Sequence, residues 1–295
     1  MTCIRLFILH ILLLISPVGL AAYSESEPSA LVVALKPDKD PDRMLAERKA
    51  LSHYLANKLK RPVTVIVPLS SAVIHEGLAN GTIDLAFISS TGAVQADKQG
   101  IGTVLLAVSL DGKPYYLSYW VALKDKSYNS VESLKGRPIA FSSRTSTSGF
   151  LIPAWDLYKR DLLTPEAGPE GYFGKGHVFY GVGYVSAVQR VLSGQVEAAA
   201  VSYYVLDQDR HLSARERARL KRVTSQGPVP THTLVVRSSL AAAQREPLKQ
   251  VLLAMNKDNP DLRDKVFQDK LIEVDPDEHL KSTREALALI EKMHY

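Results

Sequence analysis

The stretch FSSRTSTSGF, residues 141–150, carries six hydroxyl side chains: Ser142, Ser143, Thr145, Ser146, Thr147 and Ser148. The strand-like RPIAF leads into it, and FLIPAWDLYKRDLL, which reads as a helix, leads out. The first N–H groups of a helix lack intrahelical partners, and the helix dipole adds partial positive charge there. An anion satisfies both. Ser and Thr hydroxyls add uncharged donors, and Gly149 allows an oxyanion to approach the backbone. The consecutive hydroxyls of Ser146, Thr147 and Ser148 can surround a tetrahedral oxyanion from several sides. Plain helix capping uses the same residue types, but one cap needs one hydroxyl.

Other candidates flank this joint. Ser89, Ser90 and Thr91 follow the strand-like TIDLAFIS and either meet a ligand from the opposite side or simply form a loop. Ser202 and Tyr203 end VEAAAVSYYVL, whose Glu197 and the earlier Asp84 sit near strand starts, where acids are commonly structural. Arg144 could attract an anion through its charge, or lie in solvent. Nucleophilic chemistry is not indicated, because a serine nucleophile needs a base in reach. The chain has no G-x-S-x-G elbow, no S-x-x-K and no paired His/Asp signature. It has no H-E-x-x-H or clustered metal-ligand spacing either, so we expect no enzyme, no metal and no cofactor.

The elements that must position these residues alternate. ALVVALKP reads as a buried strand, DPDRMLAERKALSHYLANKLK as a helix and RPVTVIVPL as a strand. AVIHEGLANG is a short helix closed by Gly81, and TIDLAFIS is a third strand. This βαβαβ order predicts a parallel sheet with helical crossovers. Strands IGTVLLAVSL and YYLSYWVALK follow, and the alternation then restarts at VESLKGRPIAF. It continues through GHVFYGV, the helix VSAVQRVLSGQ, VEAAAVSYYVL and THTLVVR, with two or three helices in the C-terminal stretch. Two α/β units result, the second inserted into the first. We assign 29–115 plus 237–295 to one lobe and 116–236 to the other, with hinge crossings near 116–123 and 229–236. A ligand belongs in the cleft between them, facing strand ends and helix N-termini.

Composition bounds the rest. The 295 residues are 46% hydrophobic and 23% charged, ordinary for one large or two average globular domains. The formal charge of +5 is scattered, without the basic runs or aromatic-basic interleaving of a nucleic-acid surface. Residues 1–22 read as a cleaved signal peptide: MTCIR, the apolar LFILHILLLISPVGL, and small residues with cleavage after Ala21 or Ala22. The only cysteine, Cys3, precedes the apolar segment, so it is not the lipid-bearing residue of a lipoprotein. The mature chain then has no thiol or disulfide, and is expected free in a periplasm as a monomer.

STSGFLIP, residues 146–153, resembles the signature of the phosphate-, phosphite- and phosphonate-binding periplasmic proteins of ABC importers. There an S-T-S-G turn opens a helix of the second domain and grips the phosphorus oxyanion. GTIDLAF (81–87), VALKDKSYNSVESLKGRPIAF (121–141) and SGQVEAAAV (193–201) resemble further elements of that family, in order, over most of the mature chain. The resemblance implies a type II periplasmic binding protein fold with two α/β lobes. Each lobe would be a mixed, mainly parallel sheet flanked by helices, with the ligand cleft between them. It implies binding of a small phosphorus oxyanion for an inner-membrane ABC permease. A sensor feeding a membrane histidine kinase, or a binder of another oxyanion such as a sulfonate, are the alternatives. The resemblance puts Ser146, Thr147, Ser148 and Gly149 on the ligand, and the full candidate set adds Ser71, Ser89, Ser90, Thr91, Tyr184, Ser202, Tyr203 and His232. The sequence departs from the family where Tyr184 takes the place of a ligand-facing histidine. It also departs where Ser70 or Ser71 replaces a tyrosine, and where His232 replaces an amine-holding acid. These departures argue against an aminoalkylphosphonate.

Overall fold

The computed structural model describes residues 30–36, 41–208 and 211–293. The leader and Cys3 lie outside the described residues. The first stretch runs β1 (Leu31–Leu35), α1 (Pro41–Leu59), β2 (Val63–Ile66), α2 (Ser71–Asn80), β3 (Leu85–Ile88), α3 (Ser90–Lys98) and β4 (Gly102–Ser109). The second begins with β5 (Tyr115–Leu123) and β6 (Ile139–Phe141), then a π-turn (Thr147–Leu151) that continues into α4 (Ile152–Lys159). It continues with α5 (Gly168–Phe173), β7 (Val178–Tyr180), α6 (Tyr184–Leu192), β8 (Ala198–Ser202), α7 (Tyr204–Asp207), α8 (Ala214–Ala218) and β9 (Leu220–Pro230). The chain closes with β10 (Thr233–Arg237), α9 (Ala242–Asp258), α10 (Pro260–Phe267), β11 (Lys270–Ile272) and α11 (Pro276–Lys292).

Two sheets result, ordered β11-β4-β10-β3-β1-β2 and β7-β6-β8-β5-β9. Both are mixed. Four pairings are parallel and belong to the βα units; five are antiparallel. The antiparallel share exceeds the expectation of mainly parallel sheets, because β4, β5, β9 and β10 carry the chain between sheets and must run back beside their neighbours. Each sheet is covered on both faces. Leu51 and Leu55 of α1 and Leu252 of α9 pack on one face of the first sheet, and Ile74 and Leu78 of α2 on the other. In the second sheet Trp120, Phe141 and Phe150 share one core, while Ala187, Val188 and Val191 of α6 fill the opposite side.

The connections between sheets are short. Residues 110–114 join β4 to β5, so the expected first crossing at 116–123 lies inside β5. The return passes through Thr231 and His232, and β10, placed in the second unit up to residue 236 from sequence, belongs to the first sheet. Thr231 staples the connections together: its Oγ1 donates to Val108 O at 2.6 Å and to Pro114 O at 3.1 Å. Helix α11 spans both units. Leu280 joins a core of the first sheet, and Ala286, Leu289 and Met293 join a core of the second.

His279 of α11 sits 3.3 Å from Thr231 O, and its burial pushes its pKa below the ordinary imidazole value against the opposing effect of that bond. The unfolded chain then takes up a proton more readily than the folded one. Stability from this residue is present above its unfolded pKa of about 6.5 and is lost as pH falls below it. We expect urea midpoints to decline on the acid side of that value, with a flatter profile in His279→Gln. An unchanged slope would contradict this.

Candidate functional site

The site is built from the strand-to-helix joint upward. β6 ends at Phe141, and Ser142 then locks the exit: its Oγ donates to Ala200 O at 2.7 Å and its N to Gly149 O at 3.0 Å. Ser146 caps the turn, accepting from Gly149 N at 3.0 Å. Leu151 N reaches Ser146 O at 3.0 Å, which makes the first turn a wide π ring, a form that recurs at functional sites. Phe150, 1% exposed, anchors the turn edge-on to Phe141 at 4.9 Å. The glycine has a packing reason that the sequence did not suggest. A Cβ on Gly149 would lie 2.4 Å from Ser142 Cβ, so only glycine lets the turn close this tightly.

This geometry leaves two hydroxyls for the cleft. Thr147 Oγ1 lies 2.6 Å from Thr91 Oγ1 and accepts from Ser90 Oγ at 3.4 Å. Ser148 Oγ lies 2.7 Å from Tyr184 OH and accepts from Tyr116 OH at 3.3 Å. Thr147 and Ser148 belong to the second unit, Ser90 and Thr91 to the first, so the contact crosses between the sheets. Ser89 is the N-cap of α3 and accepts from Gly92 N at 3.2 Å. The predicted loop 89–91 is therefore a second helix N-terminus, facing the first. The remaining hydroxyls of the opening stretch, Ser143 and Thr145, pair with each other at 3.5 Å on the surface.

The other predicted residues divide. Tyr184 opens α6, with its ring edge-on to Tyr204 at 5.5 Å. Tyr203 packs against Tyr116 at 5.7 Å, joining the same phenolic wall. Ser202 is fully buried, and its Oγ makes no hydrogen bond among the described residues. It stands opposite Ser118 in register, as does Gln226, whose Nε2 donates to Ser118 Oγ at 2.8 Å while its buried Oε1 has no partner. Ser118 in turn donates to Ser148 O at 2.5 Å. His232 lies 3.2 Å from Lys36 Nζ and 5.4 Å from the Phe87 ring, beside the network. Ser71 is the exposed first residue of α2 and takes no part in these bonds. Glu197 is held by Lys126 at 3.0 Å and Tyr128 at 3.1 Å at the far end of β8. Asp84 pairs with Arg237 at 2.8 Å before β3 begins. Arg144 stacks 3.9 Å over the Tyr180 ring.

Two participants escaped the sequence reading. Tyr116 comes from β5, and burial above all pushes its phenol pKa far up, with the neighbouring Tyr184 adding and the Ser148 bond opposing. It therefore stays a neutral donor. Thr283 of α11, fully buried, donates to Ser90 Oγ at 3.2 Å. Neither carries a local signal, since they meet their partners across 32 and 193 residues. Thr283→Val should remove one buried bond and lower stability by about 1 kcal/mol in chemical denaturation. A wild-type midpoint would show that the Ser90 bond contributes nothing.

Among the described residues no group of three or more His, Cys, Asp or Glu could hold a metal. No described helix is long and apolar enough to cross a membrane. The arrangement is two opposed helix N-termini lined by neutral donors, with phenols on one wall. That suits an anion held by hydrogen bonds.

Residues 33–280 match the family described as ABC transporter, phosphonate, periplasmic substrate-binding protein. The chain belongs to this family. Its members are the substrate-binding proteins of transporters. A curated relative, the phosphate-import protein PhnD of Mycolicibacterium smegmatis, is 27% identical over 179 residues, 59% of this chain and 56% of that protein. Among solved structures, XAC2383 from Xanthomonas citri bound to ATP superposes with a TM-score of 0.76 at 19% identity, covering 90% of this chain and all of that one. PhnD1 from Prochlorococcus marinus in complex with methylphosphonate gives 0.74 at 19% identity, covering 89% and 98%. At this identity the likeness concerns the fold, the type II periplasmic binding protein fold of two sheets flanked by helices.

Proposed function

We propose that this family member captures a small phosphorus oxyanion between its two sheets and presents it to an inner-membrane ABC permease. The observation that carries the reading is the meeting of Thr147 with Thr91 at 2.6 Å, each at a helix N-terminus on its own sheet. A phosphoryl or phosphonyl group placed there gains donors from both units at once. Binding then favours closure, with the connections at 110–114 and 231–232 as the hinge. Ser202 Oγ and Gln226 Oε1, buried without partners, add polar capacity beneath the Ser148 turn. Among the described residues the side-chain partners of Thr147 and Ser148 are hydroxyls and phenols, which supports capture without turnover. Delivery to a permease fits an exported, periplasmic chain.

Thr147 and Thr91 meet at 2.6 Å and both are buried, so the space between the two helix N-termini suits a compact ligand. Leu35, Lys36, Phe87, Tyr204 and His211 line a separate small crevice beside the phenolic wall. Phosphate, phosphite and methylphosphonate are favoured over a nucleotide such as the ATP of the Xanthomonas protein. Calorimetry with phosphate, phosphite, methylphosphonate, sulfate and ATP tests this. Tightest binding of one of the first three is expected, and tightest binding of sulfate or ATP overturns the reading.

A further inference from the structure

A groove lies away from this network, beside the outgoing connection between the sheets. It encloses about 510 Å³, within the usual range for small-molecule sites of roughly 300–1,000 Å³. Its floor is apolar: Pro114 from the outgoing connection, Tyr115 from the start of β5, Pro228 and Pro230 from β9, and Trp155 from α4. Its charged wall is different in character. Asp275, Glu278 and Glu285 set three carboxylates along α11 and its lead-in, with the ammonium of Lys281 among them. The groove is therefore acidic on a chain whose net charge is +5. Asp275 caps α11, accepting from Asp277 N at 2.8 Å, but Glu278 and Glu285 are exposed one above the other beside the aromatic floor. Indole faces attract ammonium groups, and Lys159 already sits 3.5 Å over the Trp155 ring.

We propose that this groove is a second ligand site, for a small organic cation with an aromatic or aliphatic body. The body would lie on Tyr115, Trp155 and the prolines, and the ammonium would face Glu278 and Glu285. An occupant touches the outgoing connection, α4, β9 and α11 together, and so bridges both units.

The test uses three probes of one shape and different charge: 2-phenylethylamine, 2-phenylethanol and phenylacetate. Calorimetry on the mature chain should rank the amine first, at least about tenfold tighter than phenylacetate. Trp155 emission should change on binding, since Trp120, the other tryptophan, is 1% exposed and distant from solvent. Glu278→Gln with Glu285→Gln, both surface positions, should abolish the preference for the amine. The proposal is overturned if the amine fails to bind at millimolar concentration or if the three probes bind alike. It is also overturned if the double variant keeps the preference, or if the amine binds while Trp155 emission stays constant. A chain that sediments as a dimer with Trp155 already shielded would assign the groove to a second copy instead. None of these outcomes depends on the oxyanion reading.

Discussion

Replacing Thr147 and Ser148 together by alanine is expected to weaken the best-bound phosphorus oxyanion by about a hundredfold or more. A hydrogen bond to a charged group contributes about 1.5–3 kcal/mol, so each single change should lower affinity roughly ten- to a hundredfold. The double loss exceeds either single one unless the two hydroxyls act on the same oxygen. Ser143→Ala and Thr145→Ala serve as controls, because that pair bonds only to itself on the surface. Thr147→Ser keeps the hydroxyl and should retain most of the affinity. Truncation also removes the partners of Thr91, Tyr184 and Tyr116. Calorimetric affinity must therefore be read beside urea denaturation, which reports the structural share. Unchanged affinity in the double variant would sink the proposed grip.

How much of this was legible depends on how far each residue reaches. The 146–149 turn is readable because hydroxyls, glycine and a strand-to-helix change coincide within one short stretch. The tight contact of Gly149 with Ser142 is not, since it needs the turn's three-dimensional closure. α3 escaped because Ser89, Ser90, Thr91 and Gly92 carry turn chemistry, and the same side chains that favour loops also start helices. β9 escaped because Lys221, Arg222, Gly227, Pro228 and Pro230 contradict strand composition. It lies at the edge of its sheet, where such residues are tolerated. The restarted βα alternation marks strands of the second sheet. Its borders were displaced because β5 and β10 each continue directly from a connection, with no change of composition to mark the join. The bridging role of α11 was invisible for a different reason: its apolar positions look the same whether they pack on one unit or on two.

Ligands bearing an ammonium group should bind worse than their amine-free counterparts. We expect methylphosphonate to bind at least about tenfold more tightly than 2-aminoethylphosphonate, a margin of about 1.4 kcal/mol. A buried ammonium without a partner costs several kcal/mol, so the question is whether any acid is placed to receive one. Glu197, the acid that could most readily have served, is tied to Lys126 and Tyr128. Asp84 is engaged with Arg237, and Asp207 accepts from Tyr119 OH at 2.7 Å. Glu47 does line the crevice beside the phenolic wall, but Lys36 and Lys265 line it too, so the field there is not that of an amine site. The position expected from the family to hold an acid carries His232, 3.2 Å from the Lys36 ammonium. Competition calorimetry decides the matter. If 2-aminoethylphosphonate binds tightest, the placement of these acids in the bound form differs from the one described. Glu197→Gln distinguishes the cases: it should leave the ranking unchanged while Glu197 stays with Lys126. A reversal of ranking in that variant would mean that Glu197 turns into the cleft when ligand binds.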